Sequence, residues 1–216
     1  MAFWNAPLDD SEHGSNACRA ALNMRQFLVR WNQNLKAESE AKGKNYNLIH
    51  VGIGINTGDC CVGNIGSSQR LAYSALGDDV NLASRLEGQS KTYGVDIIVG
   101  QNTYDQASSD YALLRIDLIR VQGKEKPVNI FALLGDRTLK ETPAFRSLNE
   151  RHEEMLAAYR ARQWAKALQL IEECGQLDTP RTRLRMVYQL FVDRIRAFQA
   201  NPPSADWEGV TVALTK

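Results

Sequence analysis

The sequence predicts an α+β domain ending near residue 136, followed by a small all-helical segment. Three observations predict it. Apolar residues switch between a period of two and a period near 3.6 as far as Leu134. From residue 143 to 200 only the helical period remains. Glycine and proline fall where the period changes.

The elements follow in order. Ala2, Phe3 and Trp4 read as the tail of a strand, broken by Asn5-Ala6-Pro7. From Ser11 to Lys42 the residues Ala17, Ala20, Ala21, Met24, Phe27, Leu28, Trp31 and Leu35 recur every three or four positions, which predicts a helix with one buried stripe. Gly43 ends it. Ile49, Val51, Ile53 and Ile55 then alternate with His50, Gly52 and Gly54, the pattern of a strand. Asn56-Thr57-Gly58-Asp59 is turn chemistry, and Cys61 to Ile65 reads as a returning strand, so the two predict a β-hairpin.

Leu76 to Tyr93 predicts the next helix, with Val80, Leu82, Ala83 and Leu86 inward and Gly94 at its end. Residues 95–99 predict a short buried strand, and 100–109 a short helix or loop. Tyr111 to Val121 and Val128 to Leu134 predict two strands joined by a polar turn through Lys124. Helical patterns then run through Leu148–Arg162, Trp164–Cys174 and Arg181–Phe198. Ala157, Tyr159, Trp164, Ala167, Leu168 and Ile171 suggest one helix-turn-helix unit of the tetratricopeptide type. Asn201-Pro202-Pro203 opens an irregular tail expected to lie back on the protein through Trp207.

Composition excludes several classes. The 216 residues carry 26 basic and 25 acidic side chains, a net charge of +1, so no basic excess marks a nucleic-acid binder. No stretch reaches the roughly 18 consecutive apolar residues that span a bilayer, and the N-terminus has no signal-peptide pattern. Cys18, Cys60, Cys61 and Cys174 form no CxxC pair and fit a reducing, cytoplasmic setting rather than a disulfide framework. His152 opens HEEML, which lacks the second histidine of a zinc helix, so no metal ligands are assigned.

The glycine cluster GIGINTG (52–58) fails the dinucleotide fingerprint. The third glycine would fall at Thr57, and a strand rather than a helix is expected to follow. Tight turn geometry and close backbone approach explain these glycines better. His50 reads as packing or a solvent-facing side chain, and Cys60-Cys61 as small apolar filler.

Asn81 and Arg85 are four residues apart on the predicted helix, so they share a face one turn apart, with Val80, Leu82, Ala83 and Leu86 opposite. An amide beside a guanidinium makes a donor-rich clamp suited to a phosphate or a developing oxyanion. Spacing alone leaves a solvated helix surface as the commoner reading.

The ordered segments GINTG, GNIGS, YSALGDDVNLASRLE, GVDIIV and VQGKEKPVNIFAL resemble the C-terminal part of a class III nucleotidyl cyclase catalytic domain, of the bacterial adenylate cyclase type. The resemblance covers residues 1 to about 136. The unit AYRARQWAKALQLIE and the ending PPSADWEGV also resemble the C-terminal extension of such proteins, over 137–216. The implied fold is an incomplete ferredoxin-like cyclase domain with a helical, tetratricopeptide-like extension. The implied activity is conversion of ATP to 3′,5′-cyclic AMP and pyrophosphate in intracellular signalling.

Carried over by position, the resemblance implies that Asn81 orients the ribose. Arg85 would stabilise charge on the phosphates as the 3′-hydroxyl attacks the α-phosphorus. Ser74 falls where the family selects the base, and its small hydroxyl leans towards adenine; Lys124 matches a lysine that contacts the triphosphate. Ser74 as a turn hydroxyl and Lys124 as a solvated loop charge are the bland alternatives. In the family, two aspartates hold Mg or Mn. The first lies on an early strand, and the second lies just before a strand ending like Met1-Ala2-Phe3-Trp4. Both are expected to be absent from this chain, as is an adenine-contacting lysine, so no metal is expected to bind it tightly. Asp78 and Asp79 belong to the helix start, where one of them is expected to cap the helix.

The family's first strand is central to its sheet, so the strand at 47–55 is expected to present an unpaired edge. Family members act as head-to-tail dimers, one protomer giving the metal aspartates and the other the Asn/Arg pair. The chain is therefore expected to be inactive alone and to partner a second copy or an intact cyclase protomer, with the parent protein anchored upstream. A non-catalytic module that docks on an intact cyclase is the alternative.

Overall fold

The computed structural model describes residues 1–67, 70–121 and 126–213. Helix α1 (His13–Ala41) is followed by β1 (Ile53–Ile55), β2 (Cys61–Ser67), β3 (Arg70–Leu76), α2 (Asp78–Tyr93), β4 (Ile97–Gly100), α3 (Gln101–Ala107), β5 (Tyr111–Val121) and β6 (Val128–Asp136). The helices α4 (Arg137–Lys140), α5 (Pro143–Arg160), α6 (Trp164–Leu177) and α7 (Arg185–Ala200) come next, and β7 (Thr211–Ala213) closes the described chain. A mixed five-stranded sheet runs in the order β1-β4-β6-β5-β7. β2 and β3 form a separate antiparallel ribbon. The predicted α+β class and the helical run after residue 136 are both present.

Helices cover both faces of the sheet, and this explains its unbroken apolar strands. Ile97, Val99, Leu113, Phe131 and Leu133 point towards α1 and α3. Their neighbours Ile98, Leu114, Ile130, Ala132 and Leu134 point towards α2 and α5–α7. Alternation at a period of two therefore yields apolar side chains on both sides. The second cluster is continuous across residue 136, joining Leu86 and Ile116 to Leu148, Tyr159 and Phe191.

Five local expectations are corrected. The strands around Asn56–Asp59 do not form a hairpin. β1 pairs in parallel with β4, Ile53 opposite Ile97, while β2 turns onto β3, Cys61 opposite Leu76. The supposed turn is instead tied to α2 and α3: Asn56 donates to the Asp79 carbonyl at 3.2 Å, and the Thr57 and Thr103 hydroxyls lie 2.8 Å apart. Only Ile53–Ile55 is regular strand; residues 49–52 are not. β1 does stand at the sheet edge, as expected.

Residues 2–4 pair in no strand. Phe3 lies against the ring of Tyr73 at 5.7 Å, and Trp4 packs on the α1 side of the core. The stripe of α1 is buried only in its first half, at Ala17, Cys18, Ala21 and Leu22. Met24, Phe27 and Trp31 are 51%, 57% and 49% exposed. A 29-residue helix, about 43 Å long at 1.5 Å per residue, outruns the short β1 edge beneath it. The N-cap of α2 is Gly77 rather than an aspartate; Asp78 and Asp79 occupy the first turn, where negative charge complements the helix dipole.

Candidate functional site

α2 is held at three levels. Its first turn follows Gly77, at the end of the β2–β3 ribbon. Its middle lies directly on β1: a Cβ at Gly54 would meet the carbonyl oxygen of Ala83 at 2.1 Å and the amide of Glu87 at 2.4 Å. The close-approach reading of the glycine cluster is therefore correct, although the hairpin it was joined to is not. Its last residue is followed by Gly94 at φ 66°, a left-handed cap that glycine adopts without strain.

Leu82 and Leu86 bury the inner face of α2. Asn81 and Arg85 project from another face, Asn81 exposed and Arg85 half-buried. One turn separates them, about 6 Å along the axis. Among the described residues neither side chain has a hydrogen-bond or ion-pair partner, so the amide and guanidinium donors remain available to a ligand. Ser74 sits on β3, opposite Gly63 and three residues before the N-cap, and is half-buried. One continuous segment, β3–Gly77–α2, thus carries Ser74, Asn81 and Arg85. Lys124 lies outside the described residues.

No group of three or more His, Cys, Asp or Glu among the described residues is arranged to hold a metal ion. Cys60 and Cys61 are exposed and unbonded to each other, and Asp79 is engaged by Asn56 at 3.1 Å. His152 is fully buried, its Nε2 2.7 Å from the Arg115 carbonyl oxygen and its Nδ1 3.3 Å from the Tyr188 hydroxyl. Burial lowers its pKa to about 4, so it is neutral near pH 7 and structural.

A network unanticipated from the sequence anchors the far end of α2. Asp117 on β5 accepts from the Tyr93 hydroxyl and from Arg194 Nη1 on α7, both at 2.6 Å. Burial raises the Tyr93 pKa, and the Asp117 charge adds to it. For Arg194, burial alone would lower the pKa, but Asp117 and Tyr93 outweigh it and the guanidinium stays charged. The available signal was Asp117 itself, one acid in the apolar run Leu113–Val121. Nothing in the local pattern named its partner 77 residues away.

Residues 1–135 match the family model of the adenylate and guanylate cyclase catalytic domain. Adenylate cyclase 1 of Rhizobium meliloti is 32% identical over 135 residues, 62% of this chain and 19% of that protein. The terminal-differentiation-specific adenylate cyclase of Dictyostelium discoideum is 28% identical over 177 residues, 80% of this chain and 8% of that protein. The chain therefore spans about a fifth or less of these relatives' lengths. Among solved structures, the adenylyl cyclase CyaB from P. aeruginosa aligns with a TM-score of 0.50 and 28% identity, over 61% of this chain and 64% of that one. The guanylyl cyclase Cya2 aligns with a TM-score of 0.50 and 30% identity, over 61% and 62%. No helix among the described residues is long and apolar enough to cross a membrane. With its family match covering more than half its length, this chain belongs to the adenylate and guanylate cyclase catalytic domain family.

Proposed function

We propose that the chain contributes the ribose- and phosphate-binding half of an adenylate cyclase site, completed by residues of another protomer. The observation that carries this is the unpartnered Asn81/Arg85 pair on a helix fixed at three levels. In this reading Asn81 holds the ribose so that its 3′-oxygen faces the α-phosphorus. That oxygen loses its proton to water and forms a bond to phosphorus as the bond to the bridging oxygen breaks, releasing pyrophosphate. Arg85 offsets the negative charge that accumulates on the phosphates, an electrostatic role that preorganised donors fill well. Ser74, just upstream, offers a small hydroxyl to the base and favours ATP over GTP. The names of the two sequence relatives support ATP. Lys124 is assigned to the triphosphate from its motif alone.

The divalent cations of the family's chemistry find no ligand set among the described residues. In this reading the carboxylates that would hold those cations come from the other protomer. Residues 1–136 are assigned to the catalytic part and 137–216 to an extension that shares its core. A head-to-tail partner, either a second copy or an intact cyclase protomer, is part of the proposal.

The test mixes the purified chain with an intact cyclase whose own matching arginine is replaced by alanine, supplying ATP and Mn²⁺. Restored cyclic AMP synthesis supports the half-site. Binding without restored synthesis supports the second reading, a non-catalytic module docking on an intact cyclase, for which the exposed Met24, Phe27 and Trp31 speak. Substantial synthesis by the chain alone, abolished by Arg85→Ala, overturns the requirement for an intact cyclase protomer.

A further inference from the structure

We infer that α7 is a buttress that sets the position of α2, and that Arg194 is a positioning residue for Arg85 and Asn81. The inference rests on the half-site reading above. α2 ends where residues 183–194 grip it. Arg194 reaches across the core to Asp117 and shares that carboxylate with Tyr93, the last residue of α2. The Arg194 guanidinium also lies over the rings of Tyr93 and Phe191, 5.8 and 5.4 Å from their centroids. Its side chain is 16% exposed and that of Asp117 only 3%. Gly94 leaves no room beside Met186: a Cβ there would come within 2.5 Å of its sulfur. Asp96, two residues on, faces Arg183 at 3.7 Å.

These contacts fix α2 at one end, and the Gly54 contact fixes its middle against β1. Arg85 lies within the stretch that covers Gly54, between Ala83 and Glu87, eight residues from Tyr93, about 12 Å along the helix. A helix pinned in this way cannot slide or rotate without breaking the buried hydrogen bond from Tyr93 to Asp117. Its donors are therefore presented at a height set by α7. A misplacement of about 1 Å at a reacting centre lowers turnover by as much as ~10²-fold while leaving ground-state affinity largely intact. The helices after residue 136 thereby acquire a role in catalysis without touching the nucleotide.

The test compares two pairs of substitutions in the mixture with the arginine-deficient cyclase. Asp117→Asn with Arg194→Met removes both charges at the α2 anchor and leaves Tyr93 an acceptor at position 117. Arg115→Met with Glu153→Gln removes an ion pair between β5 and α5 that does not touch α2. The expected result is a fall in kcat of tenfold or more for the first pair, with KM for ATP within twofold, and both constants within twofold for the second. Equal effects from the two pairs, or an unchanged kcat in the first, overturn the inference. Should the first pair not fold, Arg194→Lys carries the test: a kcat at least threefold lower at unchanged KM supports the buttress, and wild-type turnover overturns it. If the wild-type chain restores no synthesis, the half-site reading fails on its own, and amide exchange decides the buttress. Exchange across residues 82–93 accelerated at least tenfold in the first pair only supports it; equal exchange in both overturns it.

Discussion

Nε2 of His152 on α5 lies 2.7 Å from the carbonyl oxygen of Arg115 on β5. It joins the helices after residue 136 to the sheet inside a fully buried site. Protonating the ring there is opposed by burial first, and also by the nearby Arg115 charge, although the carbonyl favours it. The ring accordingly titrates near 4 in the folded chain, against an ordinary value of 6.5. Above pH 6.5 both states hold it neutral and nothing is lost. Between 6.5 and 4 the unfolded chain takes up a proton that the folded chain refuses, so stability falls as pH falls. The linkage is about 1.4 kcal/mol per pH unit, or about 2 kcal/mol at pH 5. Urea unfolding at pH 7 and pH 5 measures it. His152→Gln is expected to flatten the difference between the two, and an unchanged difference contradicts this assignment.

Gly54 and Gly63 are expected to respond differently to alanine. At Gly54 a Cβ meets the backbone of α2, whereas at Gly63 it meets nothing within 4 Å. Overpacking of this kind costs about 1–3 kcal/mol. Gly54→Ala should lower the melting temperature by several degrees, while Gly63→Ala should leave it within about a degree. Thermal unfolding by circular dichroism reads both.

The tail is held by Trp207, which stacks edge-on to Tyr159 at 5.4 Å and to Phe198 at 5.0 Å and lies under Arg162 at 5.8 Å. Arg162 also donates to the carbonyls of Ala205 and Trp207. Beyond it, β7 adds to β5 in parallel, Ile119 opposite Thr211. Because Trp207 is half-buried, Trp207→Ala should cost about 2 kcal/mol, below the full core value. It should also expose residues 201–213 to limited proteolysis, with cleavage mapped by mass spectrometry.

The four thiols should fall into two classes. Cys60 and Cys61 are exposed; Cys18 and Cys174 are buried, and burial pushes their pKa values up to about 12 and about 11. The thiolate is the reactive species. An aromatic disulfide reagent at pH 8 should therefore titrate two thiols quickly and the other two only after denaturant is added.

Much of this was legible in the sequence, for reasons tied to particular residues. The period of α2 and its glycine cap gave both its extent and the common face of Asn81 and Arg85. The paired Tyr111–Val121 and Val128–Leu134 strands were equally plain, because each is a long apolar run bounded by a polar turn. The hairpin assignment failed because alternation reveals a strand but not its partner, and Ile53–Ile55 found one beyond α2. The ribbon strand β3 escapes the sequence pattern because Arg70 to Tyr73 are all exposed, so no buried period of two marks it. The exposed end of α1 shows that a helical apolar stripe states what could be covered, not what covers it. The Asp117–Arg194 pair depends on tertiary folding alone, since 77 residues separate its members.

The most direct measurement is cyclic AMP formation by the mixture of this chain with the arginine-deficient cyclase, comparing the wild-type chain with Arg85→Ala. Arg85 has no described partner in the fold, so the substitution should leave stability within about 0.5 kcal/mol. A composite site that takes its phosphate clamp from this chain predicts a loss of about 10²-fold or more in kcat. Turnover within twofold of wild type, from a folded and bound Arg85→Ala chain, would contradict it.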